Sequence, residues 1–294
     1  MTFDDQKKAV QLLAAVSSIY TKHFLSNNMF KDQFDNGYQA LVCFLESYAH
    51  ERQGAAAAYP KIACKCIERI FPQKGINIIA KNTDAERAWE EYERIAREEY
   101  HLMNDDGTAK VNQKVNPLNK HRGVLNILAS ENIPIPNIAK HVRDRIKTGN
   151  TVEVYNFIKS IRGVGEKISS FYLRDIAYLA KIDEKTIEQL HLLQPIDTWL
   201  DQAHNILFNS EAYVKLEKKQ KDILKLCEKA EVSSISFNQG AWFFGSQIAG
   251  EFNTFKKALN DFDFAKQRLD KHLEQKKEYL NIVKLGIQDL LPLT

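Results

Sequence analysis

Residues 157–171 read FIKSIRGVGEKISSF, an apolar pattern of helical spacing that is interrupted by a Gly-Val-Gly turn and then resumes. The apolar residues before the turn and after it recur every three or four positions, which is typical of amphipathic helices. The stretch therefore predicts two short helices joined by a tight turn. Glycine on both sides of the turn permits a positive φ and the close approach of another backbone.

The start of the second helix is the predicted binding element. Backbone N–H groups in a first helical turn have no acceptor within the helix, and the helix dipole favours an anion at that end. This geometry suits a phosphate, which positions a nucleic-acid backbone without reading its bases. We therefore predict that Arg162, Gly163, Val164 and Gly165 contact a DNA backbone. The alternative is that the two glycines only form a tight turn.

Helical spacing of apolar residues continues outward along the whole chain, and alternating strand patterns of any length are missing. Only residues 75–79 could form a strand, and that strand would be short. We predict an all-α protein of about a dozen helices. Three of them are expected in the C-terminal third, at roughly 211–231, 238–260 and 262–290.

The composition is typical of a soluble globular protein. The chain has 294 residues, of which 44% are hydrophobic and 27% are charged, as expected for a soluble globular protein with a sizeable core. It lacks a run of about 18 apolar residues and an apolar N-terminal segment, so we expect no membrane partner and an intracellular, cytoplasmic protein. The predicted DNA contact would make it nucleoid-associated. Four Cys are too sparse for a disulfide scaffold and fit no zinc spacing, so no metal is expected.

The charge of the chain is unevenly distributed. The formal net charge is +3, yet residues 110–174 contain twelve Lys and Arg against four Asp and Glu. A basic segment within a nearly neutral protein indicates a polyanion site. The alternative is that these charges are scattered around solvated helix faces.

Two motifs carry a resemblance to a known family. Residues 161–167 read IRGVGEK, and residues 195–198 read PIDT. In this order they resemble the helix–hairpin–helix DNA glycosylase superfamily, which includes endonuclease III and the 8-oxoguanine glycosylases. The long gap between the motifs is similar to the archaeal-type 8-oxoguanine branch. The resemblance extends over about residues 35–250.

The resemblance implies an architecture. Two helical subdomains would flank a DNA-binding cleft, with the helix–hairpin–helix at about 152–180. One subdomain would combine residues 1–55 with residues 183–294, and the other would span residues 56–182. The implied partner is DNA that contains a damaged base or an abasic site, bound by a monomer. The chemistry would need no metal or organic cofactor, and a monovalent cation at the hairpin carbonyls is left open.

The resemblance also implies the catalytic residues. Lys167, directly after the turn, would be the nucleophile, and Asp197 would stabilise the charge that develops on the sugar. An ammonium cannot attack, so partial burial in the cleft, the helix dipole and the nearby Arg162 and Arg174 would favour the uncharged amine. Asp197 is also well placed to cap the following helix, which would explain it without catalysis.

A base pocket is implied by the same family. Phe171 and Trp242 would stack on an extruded base, and Asn238 and Gln39 would read it. Asn238 stands where an Asp is expected. The alternatives are that the two aromatic residues belong to the core and that the two amides satisfy buried backbone groups.

Together these features predict a bifunctional DNA glycosylase and abasic-site lyase that excises an oxidised purine, such as 8-oxoguanine, through a Lys Schiff base and nicks the strand. A glycosylase of another base specificity and a non-catalytic helix–hairpin–helix DNA-binding protein are the alternatives. Backbone docking alone needs neither Lys167 nor Asp197, and this argues against the non-catalytic alternative.

Overall fold

The structure is a computed structural model that describes residues 2–26, 28–51, 56–130, 135–210 and 213–282. The described residues contain fourteen α-helices and no strand beyond one isolated bridge between Met103 and Ala109. In chain order the helices are α1 Phe3–Tyr20, α2 Asn28–Asp32, α3 Gly37–Ser47, α4 Tyr59–Ile70, α5 Asn82–Glu98, α6 Val124–Ser130, α7 Ile138–Lys147, α8 Thr151–Ser160, α9 Glu166–Leu179, α10 Thr198–Leu207, α11 Leu216–Ala230, α12 Ser234–Phe243, α13 Phe252–Asn260 and α14 Phe262–Ile282. The predicted all-α fold class is confirmed.

The chain forms two compact units. The first unit combines Met1–Tyr20 with Ile196–Thr294, and the second is Thr21–Pro195. These junctions differ from the predicted ones at 55/56 and 182/183. Residues 21–51 go with the second unit because α3 packs against α4 and α7. The residues after α9 go with it because their 3₁₀ turn Leu190–Leu193 packs against α8 and α9.

Glycine at the start of α3 explains the first of these junctions. A Cβ added to Gly37 would lie 2.0 Å from the carbonyl oxygen of Pro136 and 2.9 Å from that of Ile76. Only glycine therefore lets α3 begin in this space, and Asn36 caps the helix by accepting a hydrogen bond from the Gln39 N–H. The contact ties α3 to two segments that lie far along the chain within the second unit.

The core of the first unit is built on the packing of α1 against α12. A Cβ added to Gly240 would lie 1.7 Å from the carbonyl oxygen of Leu13, so this glycine permits the close approach of the two helices. Trp199 packs in the same unit, where Gly245 leaves room for its ring and Phe255 contacts the ring edge at a centroid distance of 5.4 Å.

Two local predictions are corrected. Residues 75–79 form no strand, because the Ile76 carbonyl accepts from Gly37 and the Ile78 N–H donates to Pro136. The helix predicted at 238–260 starts earlier, continues as a π-helical turn after α12, and is interrupted at Gly250, whose φ is +73°. Residues 211–212 and 283–290, the ends of two other predicted helices, lie outside the described residues.

Among the described helices, none combines the length and the apolar composition that crossing a bilayer requires.

Candidate functional site

The Gly-Val-Gly segment forms a tight connection between two helices. We call residues 161–165 the hairpin turn; α8 ends before it, α9 starts after it, and the two helices pack together. The Val164 N–H donates to the Ile161 carbonyl at 3.0 Å, which closes the turn. Gly163 has a φ of +80°, in the left-handed region that favours glycine. The turn therefore needs glycine at position 163.

Gly165 has a different role. Its φ is −98°, which any residue adopts, and a Cβ added to it would meet no atom within 4 Å. Neither the backbone nor the packing requires glycine there. The N–H groups of residues 165–168 donate no hydrogen bond within the described part of the chain, and no side chain caps α9. Gly165 therefore leaves a set of free backbone donors open at the start of a 14-residue helix.

Lys167 lies in the first turn of α9, beside these free donors. Its side chain is exposed and makes no hydrogen bond or ion pair with any residue that the structure describes. The neighbouring Glu166 is ion-paired with Lys159 at 2.7 Å, so its charge is locally balanced. The expected partial burial of Lys167 is not observed, because the first turn of α9 is exposed from Gly165 to Lys167.

Comparison with models of known protein families, with curated proteins and with solved structures finds no match. The site must therefore be judged on its own geometry.

Phe171 lies one turn after Lys167 and is held from two sides. The Arg174 guanidinium lies over its ring at 4.3 Å from the centroid, and the Tyr48 ring meets it edge-on at 5.6 Å. Asp175 Oδ1 accepts from Arg174 Nε at 2.9 Å, and Asp175 Oδ2 accepts from the Tyr48 hydroxyl at 3.2 Å. Phe171 itself is partly exposed. Its ring is thus fixed in position with part of its surface accessible.

Arg174 was expected to act as a cation near Lys167, and its surroundings differ from that expectation. It is fully buried, and its ion pair with Asp175 is buried on both sides. Its charge is therefore compensated locally and is not directed at the amine of Lys167. The sequence suggested a free cation beside the nucleophile, and the contact with Asp175 could not be inferred from spacing alone.

Other nucleophiles in the second unit are less suitable. Burial raises the pKa of the Cys64 thiol to about 12, and it raises the pKa of the Cys43 and Cys66 thiols well above their ordinary value. Burial likewise raises the pKa of Tyr155 to about 12. These groups stay protonated at neutral pH, and a protonated thiol or phenol is a poor nucleophile.

Asp197 belongs to the first unit and caps α10. Its Oδ1 accepts from the N–H groups of Trp199 at 3.0 Å and Leu200 at 2.9 Å, so the predicted capping role is confirmed. The carboxylate is partly exposed at a helix N-terminus, where the dipole stabilises its charge. Since Lys167 lies in the second unit, the predicted approach of the two residues stays a prediction.

The two base-pocket residues of α12 have different surroundings. Trp242 is partly exposed, and the Tyr20 ring meets it edge-on at 5.9 Å. Asn238, one turn earlier, is fully buried. Trp242 therefore keeps an accessible aromatic surface, whereas the Asn238 amide is enclosed, as expected for a residue that satisfies buried polar groups.

Gln39 is partly exposed and lies at the start of α3. Tyr48, which contacts Phe171, follows the end of the same helix. A rise of 1.5 Å per residue separates the two positions by about 13 Å. Gln39 and Phe171 are therefore held at different ends of α3.

A structured loop beside the hairpin turn was not predicted from the sequence. We call residues 116–123 the basic loop, because it exposes Lys120, His121 and Arg122. The Arg162 N–H donates to the Arg122 carbonyl at 2.7 Å, which joins this loop to the turn. The signal that could have found it is the absence of Asp and Glu from residues 107–130.

Metal ligands do not cluster in the described residues, where no three His, Cys, Asp or Glu are grouped to hold an ion. The carbonyl oxygens of Arg162, Gly163 and Val164 accept no hydrogen bond from the described residues. These oxygens are the ligands that a monovalent cation at the hairpin turn would use. Such an ion would add positive charge beside a bound phosphate.

The two glycines of the turn give a matched pair of variants. Gly163→Ala should cost about 1–2 kcal/mol of folding free energy, because alanine is strained at positive φ. Gly165→Ala should leave thermal stability unchanged or slightly raised; if the free N–H groups hold a DNA phosphate, its methyl group should weaken that binding about tenfold. Thermal unfolding and fluorescence anisotropy with duplex DNA measure both effects. Wild-type affinity in Gly165→Ala would mean that the segment is only a tight turn.

Proposed function

We propose that this protein is a DNA N-glycosylase with abasic-site lyase activity that removes a damaged base, an oxidised purine such as 8-oxoguanine. One observation carries the proposal. Lys167 is an exposed lysine without an ion-pair partner among the described residues, and it lies in the first turn of a helix whose backbone donors are free. A tight turn needs neither this lysine nor glycine at position 165.

The free N–H groups of α9 would hold a DNA phosphate, because the helix dipole and the unpaired donors both favour an anion there. A phosphate bound at this turn would bring the adjacent sugar towards Lys167. Lys167 attacks as the uncharged amine, which is the nucleophilic form. The phosphate contact and the attacking group thus lie at the same helix terminus.

The chemistry would run in three steps. The Lys167 Nζ lone pair attacks C1′ of the extruded nucleotide, and the base leaves with the electrons of the glycosidic bond and takes up a proton. The C1′–O4′ bond then breaks as the sugar ring opens, and O4′ takes up the proton that the amine loses as the Schiff base forms. Elimination then removes the proton at C2′ and breaks the C3′–O bond, which nicks the strand. Asp197 would stabilise the positive charge that develops on the sugar.

Extrusion of the base costs a few kcal/mol, and stacking on aromatic rings supplies about 1–3 kcal/mol per base. Phe171 suits this role, because Arg174 and Tyr48 fix its ring while part of its surface stays accessible. The resemblance also implies Trp242 as a stacking residue; because Trp242 lies in the first unit, its approach to the same base stays a prediction.

A second candidate is a non-catalytic DNA-binding protein. The exposure of Lys167 favours it, because an exposed lysine next to free backbone donors can simply contact phosphate. This candidate gives no covalent intermediate. A third candidate is a glycosylase of another base specificity. Asn238, the predicted base-reading residue, is fully buried, so the lesion can differ from 8-oxoguanine.

In the deciding experiment, the protein is incubated with DNA duplexes that contain one 8-oxoguanine, one abasic site or no lesion, with and without borohydride. We expect strand nicking of both damaged duplexes and a borohydride-trapped covalent complex with each. Binding to all three duplexes without any trapped complex would favour the non-catalytic candidate. If only a duplex with a different damaged base were nicked, the protein would have another substrate, and the proposed reaction would stand.

Two variants separate the two roles of Asp197. Asp197→Asn keeps an oxygen that can cap α10 but removes the charge, so we expect normal thermal stability and turnover reduced by about 100-fold or more. Asp197→Ala should in addition lose about 1 kcal/mol of stability, because the Trp199 and Leu200 N–H groups lose their acceptor. Full single-turnover activity in Asp197→Asn would remove this carboxylate from the mechanism.

A further inference from the structure

The basic loop is a strongly charged surface that the proposed chemistry does not use. Lys120, His121 and Arg122 are consecutive and exposed. The surrounding residues 107–130 contain no Asp or Glu, so no acid near in sequence offsets the charges of Lys120 and Arg122. Two exposed cations without a neighbouring acid are the electrostatic pattern of a phosphate contact.

The loop is held in one conformation by its own side chains. Asn116 Oδ1 accepts from the Leu118 N–H at 2.9 Å, and Asn119 Oδ1 accepts from the His121 N–H at 2.8 Å. A Cβ added to Gly123 would lie 2.2 Å from the Asn119 carbonyl oxygen, so the loop closes on a glycine. All four residues from Asn116 to Asn119 are buried, whereas the three basic residues that follow are exposed.

The loop is also attached directly to the hairpin turn. Besides the 2.7 Å bond between the Arg162 N–H and the Arg122 carbonyl, Arg162 Nε donates to the His121 carbonyl at 3.5 Å. Arg122 Nη2 donates to the Ser160 carbonyl at the end of α8 at 3.4 Å. The loop and the turn therefore form one surface within the second unit.

The charges of this surface are available for an anion. The side chains of Lys120 and His121 make no hydrogen bond or ion pair with a described residue, and Glu166, the acid at the start of α9, is ion-paired with Lys159. The bond from Arg122 to the Ser160 carbonyl at the C-terminal end of α8 explains why a cation stands at position 122. Lys120 makes no such bond, so capping does not explain it. The left-handed backbone of Arg122, with a φ of +62°, shows that a non-glycine residue is held there despite the steric cost.

We infer that the basic loop is a second phosphate-binding element, which contacts the backbone of the same DNA that the hairpin turn holds, through Lys120 and Arg122. This inference rests on the proposed DNA binding and extends it. The turn supplies backbone N–H donors and the loop supplies side-chain cations, so the two elements would bind different phosphates. Such contacts are independent of sequence and depend steeply on salt, because each one releases counterions.

The test measures the salt dependence of binding to an undamaged duplex, which the proposed lyase does not nick, by anisotropy over a range of NaCl concentrations. The variant is Lys120→Gln with Arg122→Asn, since asparagine tolerates the left-handed backbone. The control is Lys276→Gln with Lys277→Gln, which removes the same charge from two exposed positions of α14. Lys120→Gln alone serves as a second variant if the loss of Arg122 disturbs folding.

We expect the slope of log K against log salt to become shallower by about 0.9 for each lost phosphate contact, so by about 2 in the double variant and by about 1 in Lys120→Gln. The control should keep the wild-type slope. A wild-type slope in both loop variants, or an equal change in the control, would overturn the inference.

The inference and the proposed function fail in different ways. If the wild type binds DNA but is never trapped by borohydride, the lyase proposal fails while the slopes still decide the role of the loop. If the wild type is trapped but the loop variants keep its slope, only the inference about the loop fails. If the wild type does not bind DNA, both are overturned.

Discussion

Replacing Lys167 by Gln is expected to lower strand nicking by on the order of 1,000-fold or more, because the nucleophile is removed and an amide cannot form a Schiff base. The fold should be unaffected, since the side chain is exposed and makes no hydrogen bond or ion pair with a described residue. Lys167→Arg should fail equally, because it keeps the charge but has no nucleophilic amine. Single-turnover nicking of an abasic-site duplex measures the effect.

A matched lysine separates this expectation from a loss of surface charge. Lys185 is also exposed in the second unit and has no described ion pair, so Lys185→Gln should nick at the wild-type rate. DNA affinity of Lys167→Arg should stay close to that of the wild type, because the positive charge beside the free N–H groups is retained. Wild-type nicking by Lys167→Gln would exclude this residue as the nucleophile.

Breaking the buried pair of Arg174 and Asp175 is expected to have the largest effect on stability. Both side chains are nearly inaccessible to solvent, with exposures of 0% and 1%. Asp175→Ala would leave the guanidinium buried without its partner, and losses of about 3–5 kcal/mol are typical of such changes. Chemical denaturation of the purified variant measures the free energy of unfolding.

Two controls identify the source of that loss. Tyr48→Phe removes only the hydroxyl that donates to Asp175, so it should cost less, about 1–3 kcal/mol. Arg174→Met with Asp175→Ala removes both charges and should recover part of the stability, because no buried charge is left uncompensated. A loss below about 1 kcal/mol in Asp175→Ala would contradict the account of this pair.

The hairpin turn was predictable because its signals are local. The spacing of residues 157–171 predicts two helices, and the positive φ of Gly163 follows from the turn between them. The cap of α10 by Asp197 was predictable for the same reason, since an N-cap acts within three residues.

Other features depend on contacts between distant segments. The junction of the units follows from Gly37, which fits against Pro136 about a hundred residues later in the chain. The basic loop meets the turn only through the bond between Arg122 and Arg162, and spacing along the chain does not reveal it. The burial of Asn238 likewise results from packing around α12.

The proposed mechanism requires that the Lys167 amine bonds to the sugar, and peptide mapping of the trapped complex identifies the amine that does so. The wild-type protein would be reduced with borohydride on an abasic-site duplex and digested, and the modified peptide would be sequenced by mass spectrometry. We predict the sugar remnant on Lys167. A remnant on another lysine or on the N-terminal amine, or no remnant on any peptide, would contradict the account.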